Sequence, residues 1–142
     1  MAEMAVAHRV SAYLDSSAPS GVVSVYLFGS HAEGRAHRES DLDLGILFDR
    51  TVHRTRKKRF EAALRFAAKL RSSLALDEID PVVLNDAPPL LGRRIVTEGV
   101  RLFCSDREVD HNYVRDIQLR AADIQPFLER MRRIKLDALA PR

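Results

Sequence analysis

Two carboxylates stand two residues apart at the head of an apolar run, Asp41-Leu42-Asp43-Leu44-Gly45-Ile46-Leu47-Phe48. On an extended strand, residues at this spacing project from one face. Asp41 and Asp43 therefore stand together, with Cα atoms about 6.8 Å apart from the strand rise. That spacing suits divalent cations, which two-metal phosphoryl sites hold about 3.5–4 Å from one another. Residues 31–40 separate this pair from Gly29-Ser30, which closes another β-rich run, Val22 to Phe28. Glycine has no Cβ to keep a ligand away from the backbone. A serine at the start of a short helix offers a hydroxyl beside free N–H groups, which suits a phosphate. Carboxylates that hold metal, next to a cradle for phosphate, imply metal-assisted phosphoryl chemistry.

A third carboxylate is expected from a neighbouring strand. Asp80 opens Asp80-Pro81-Val82-Val83-Leu84 and shares a face with Val82 and Leu84, while Glu78 has the same parity and is the fallback. A few hard oxygen ligands completed by substrate phosphates is how Mg²⁺ is usually held, since it rarely gets an all-protein cage. Pro81 cannot donate to a sheet ladder, which puts Asp80 at a strand end or on an edge strand.

These residues need a frame. Val6, Val10 and Leu14 recur every fourth position and predict a helix over 3–16, broken by Ser16-Ser17-Ala18-Pro19-Ser20-Gly21. Strands are expected at 22–28, 42–48, 79–84 and 100–104. A helix over 55–74 is expected to bury Phe60, Leu64, Ala67, Leu70 and Leu74. Asp86 is expected to cap a short helix starting near Pro88-Pro89 and ending at Gly99. A helical stripe then runs through Val109, Tyr113, Ile117, Ala121, Ile124, Leu128, Met131 and Ile134. Pro126 should kink or restart that helix near Asp123–Pro126, because it lacks an N–H and clashes with the preceding turn. The fold class is α/β (α+β): a small mixed sheet of about four strands, backed by helices, with a long C-terminal helical arm.

The 142 residues fit one domain, 1–142, with a catalytic core at about 20–105 and the arm at 106–139. A net charge of +3 and a pI near 9.3 are too slight to argue for nucleic-acid binding. Arg54-Thr-Arg-Lys-Lys-Arg59 reads as a solvated face, and His8, His53 and His111 as surface residues. Cys104 reads as a buried small residue in a reducing compartment. No apolar run is long enough to span a membrane, and the N-terminus lacks the layout of a signal peptide, so a cytoplasmic protein is expected. Metal-binding Cys/His clusters, a nucleophile elbow and a Walker loop are all missing from the sequence.

Gly29-Ser30, the residues 31–40 and Asp41-x-Asp43 resemble the signature of the minimal nucleotidyltransferase (MNT) family, within the DNA polymerase β superfamily. The likeness covers roughly residues 20–105. It implies a polymerase β-like nucleotidyltransferase fold, Mg²⁺ on Asp41, Asp43 and Asp80, and Asp80 activating the acceptor hydroxyl. It also implies that Gly29 and Ser30 hold the triphosphate of an ATP donor. Many relatives carry Arg where this chain has Glu33, which leaves the triphosphate charge to His31, Arg35, His37 or Arg38; Arg35 is carried as the nucleotide contact beside Gly29 and Ser30. A small catalytic domain with one helical arm looks like the MNT antitoxins, which transfer AMP to a tyrosine of a HEPN-type toxin ribonuclease. The resemblance thus implies a HEPN-type protein partner in a hetero-oligomer. The alternatives are a nucleotidyltransferase acting on a small molecule or RNA, and a catalytically idle antitoxin that inhibits by contact.

Overall fold

The structure, a computed structural model, describes residues 2–29 and 41–139. In chain order its elements are α1 (Ala2–Ser17), β1 (Val22–Phe28), β2 (Leu42–Phe48), α2 (Arg56–Leu74), β3 (Ile79–Val83), a 3-10 turn (Leu84–Asp86), α3 (Pro89–Glu98), β4 (Val100–Cys104) and α4 (Arg107–Leu139). The strands form one mixed sheet in the order β3-β2-β1-β4. β1 pairs antiparallel with both β2 and β4, whereas β2 and β3 are parallel. Pro81 therefore sits on an edge strand, in register with Leu44 but with its nitrogen on the side away from β2, where a missing N–H breaks no ladder bond.

Both faces of the sheet are covered, which is why β1 and β2 are almost continuously apolar. One face packs Val25, Leu27, Leu44, Ile46 and Phe48 against Val10 and Leu14 of α1 and Phe66 and Leu70 of α2. The other packs Val23, Tyr26 and Leu47 against Leu84 and Ile95, with Tyr113 of α4 beside them. Among the described residues, no helix is long and apolar enough to cross a membrane.

Several expectations change in the folded chain. Helix α2 is turned so that Arg59, Ala62, Ala63, Phe66, Ala67 and Leu70 face the sheet, leaving Phe60 and Leu64 exposed at 57% and 48%. The alanines let the helix lie close to the strands, and Arg59 fixes its rotation. The Arg59 guanidinium is buried, with Nε and Nη2 donating to the two carboxylate oxygens of Asp86 at 2.9 and 2.8 Å and Nη1 to the His53 carbonyl at 3.1 Å. One member of the basic run is thus a structural pin. Asp86 is consequently not the cap of α3, whose N-cap is Pro88 with no side-chain bond.

His53 is half-buried rather than on the surface, its ring edge-to-face with Phe48 at 5.1 Å. Cys104 is also only half-buried. Helix α4 runs through Pro126 without a break. Pro126 and Ala122, whose carbonyl would have accepted the missing N–H, are both exposed, so water can take that acceptor. The α4 stripe also begins one residue later than expected: Val109 is 41% exposed and Asp110 is buried.

Candidate active site

β1 ends where β2 begins, because the two strands are antiparallel neighbours, and Phe28 pairs with Asp43. β3 starts at the same end and runs alongside β2, with Asp80 opposite Asp43. Register partners share a face on strands about 4.8 Å apart. Asp43 and Asp80 therefore form a row across β2 and β3. Asp41 lies just ahead of β2, on the same face by alternation. Asp41 and Asp80 are exposed, and Asp43 is half-buried. Glu78 is engaged elsewhere: its carboxylate pairs with Arg71 at 3.0 Å, and its carbonyl accepts the Leu42 N–H at 3.0 Å. Asp80 is thus the carboxylate in register with Asp43.

Gly29 adopts φ +77°, a conformation that disfavours any side chain, and a Cβ there would overlap Oδ2 of Asp43. The glycine at the end of β1 makes room for the carboxylate on β2. One step further along the same face of β2, Gly45 is covered: a Cβ there would lie 3.0 Å from Ile95 and 3.1 Å from Leu84. Helix α3 and the 3-10 turn close over the sheet at Gly45, and the carboxylate row stands at the rim of that cover. Ser30 and Arg35, together with His31, Glu33, His37 and Arg38, lie outside the described residues.

The donor set fits a hard divalent ion, since carboxylate oxygens are what Mg²⁺ prefers. Among the described residues, no three His, Cys, Asp or Glu side chains already form a metal-binding group. That is compatible with an ion that takes one or two carboxylates and completes its shell with water and substrate phosphates.

One polar cluster escaped sequence reasoning. Asp110 of α4 is buried, accepting from the Tyr26 hydroxyl at 2.8 Å and from Nη1 of Arg101 at 3.0 Å. Burial, and then the bond to Asp110, holds the Tyr26 hydroxyl protonated well above the usual tyrosine range. The cluster fastens the start of α4 to β1 and β4. Its one local signal is a carboxylate where the α4 stripe turns inward. A shallow groove lined by Arg101, Arg107 and His111 opens beside it.

A four-stranded mixed sheet with a rim of carboxylates at the glycine-closed end of β1 is the architecture of a nucleotidyltransferase. The chain belongs to the polymerase beta nucleotidyltransferase family, whose family model matches residues 11–108. It is similar to the protein adenylyltransferase MntA of Shewanella oneidensis, at 32% identity over 95 residues. That match covers 67% of this chain and 63% of the relative's length. A solved toxin–antitoxin structure with AMP-PNP shares 28% identity at a TM-score of 0.60, covering 88% of this chain and 97% of that one. The fold is also that of a chain in the complex of tri-AMPylated Shewanella oneidensis HEPN toxin with MNT antitoxin, at 23% identity and a TM-score of 0.56, over 91% of this chain and 98% of that one.

Proposed function

We propose that this chain is a Mg²⁺-dependent nucleotidyltransferase that moves AMP from ATP to a tyrosine hydroxyl of a HEPN-type partner protein, and so acts as the antitoxin of a toxin–antitoxin pair. The observation that carries the reading is the row of Asp43 and Asp80 in register at the rim of the sheet, with Asp41 on the same face and Gly29 opening the space beside it. The similarity to a protein adenylyltransferase supports AMP as the group moved and a protein as the acceptor. Residues 1–142 act as one nucleotidyltransferase domain.

Asp41, Asp43 and Asp80 would hold Mg²⁺, which supplies positive charge to the triphosphate and to the transition state. Gly29 and Ser30, with Arg35 as a further contact, bind the triphosphate and set its α-phosphorus against the acceptor. The acceptor oxygen bonds to that phosphorus, the bond between the α- and β-phosphates breaks, and pyrophosphate leaves. Asp80, exposed at the edge of the sheet, takes the proton from the acceptor hydroxyl. The substrate phosphates bring negative charge to a carboxylate rim, so binding requires the cation. The cytoplasm, where ATP is made available, is the expected compartment for this activity.

The test is transfer from labelled ATP to the co-purified partner, read by intact-protein mass spectrometry. Asp41→Asn and Asp43→Asn should abolish the AMP mass increment while leaving the melting profile cooperative. A partner neutralised equally well by Asp43→Asn, with no added AMP, would establish inhibition by contact instead. Labelled RNA or a small molecule as the sole product would assign the acceptor to those classes.

A further inference from the structure

Helix α4 outruns the sheet it covers. Its last fully buried residue is Ala121, Ile124 and Gln125 are half-buried, and every residue from Pro126 to Leu139 is exposed. That exposed stretch is about 21 Å long at the helical rise. It carries Phe127, Leu128, Met131, Ile134, Leu136 and Leu139 at 42–72% exposure.

The spacing of these residues specifies what would cover them. Ile124, Phe127, Met131, Ile134 and Ala138 follow one another at intervals of three, four, three and four. That is the seam of a helix that packs along another helix. Beside the seam stand Arg130 and Lys135 against the single acid Asp137, with Arg132 and Arg133 further round the helix. A second copy of this chain would bring the same excess of cations to the seam. In a parallel pair it would set Arg130 against Lys135, the flanking positions that choose partners in helix pairs.

We propose that the Pro126–Leu139 end of α4 is a docking helix for a helix of a different protein, one with an apolar seam and acidic flanks. This rests on the proposed function, in which the partner is the HEPN-type protein whose tyrosine is modified. The docking helix would hold that partner while the acceptor hydroxyl reaches the rim at Asp43. Long-range attraction between basic and acidic flanks makes the association sensitive to salt.

The test uses the full-length chain and the HEPN-type protein of the same genome, comparing wild type with Met131→Glu/Ile134→Glu. Both positions are exposed, so the melting temperature and MgATP binding should match wild type. Affinity for the HEPN-type protein should fall at least about tenfold, as for central interface anchors, and AMP transfer with it. Wild-type affinity should weaken as salt is raised. Equal affinity of variant and wild type overturns the docking helix and leaves the functional reading standing. A wild-type chain that binds no HEPN-type protein overturns both. A free chain that is a dimer, dissociated by the double substitution, assigns the seam to a second copy and also overturns the proposal.

Discussion

Gly29 and Asp43 are interlocked: the carboxylate of Asp43 occupies the space that a Cβ on Gly29 would fill. The end of β1 and the start of β2 cannot be altered independently, because the backbone of one is the wall against which the carboxylate of the other rests. The glycine therefore serves the geometry of the carboxylate as well as any approach of phosphate.

Gly29→Ala should cost about 1–2 kcal/mol, the usual penalty for a side chain in left-handed backbone. It should also reduce AMP transfer at least about tenfold, since a displaced charge forfeits electrostatic stabilisation of the transition state. In an Asp43→Ala background the same substitution should cost measurably less in urea unfolding, because the overlap is gone. Additive costs in this double-mutant cycle would refute the interlock.

Asp80 and Glu78 are separated by one residue and should behave differently. Asp80→Asn should abolish transfer with little change in stability, because its side chain is exposed and stands in register with Asp43. Glu78→Gln removes an exposed pair with Arg71, so activity should be unchanged and stability should shift by less than about 1 kcal/mol. Labelled-ATP transfer and thermal melts on both variants check this. Loss of activity in Glu78→Gln alone would reverse the assignment.

The Arg59–Asp86 pair should give acid stability a specific shape. The hydrogen bonds from Arg59 hold the Asp86 carboxyl below its ordinary value of 3.8. A group whose pKa is lower in the folded state contributes stability above its unfolded pKa and loses it as pH falls through the folded one. Asp86→Asn should therefore cost about 2 kcal/mol at neutral pH, in the range of hydrogen bonds to charged groups. The deficit should shrink as wild type is titrated below 3.8. Urea unfolding at neutral and acid pH measures it, and a deficit independent of pH would show that the contribution is not ionic.

Much of this molecule is legible in one dimension. Gly29-Ser30, the spacing to Asp41-x-Asp43, the strands and the extents of the helices follow from local patterns, because a period of two or about four residues is written along the chain. Asp80 was also within reach as a candidate, since a carboxylate opening an apolar run needs a reason to be there. What the chain does not carry locally is how its elements are turned and paired. The choice between Asp80 and Glu78 depends on the parallel register of β3 on β2, and a register is a relation between distant segments. The buried face of α2 is hidden in one dimension because small alanines at 62, 63 and 67 give little hydropathic contrast, while Phe60 and Leu64 give much. Contact with the sheet decided the rotation, with Arg59 drawn inward by Asp86. Asp110 became a buried anchor only because Tyr26, far away in sequence, and Arg101 of the preceding strand converge on it in the fold. Pro126 failed to break α4 because its turn faces water, and which turn faces water is settled by the body against which the helix packs.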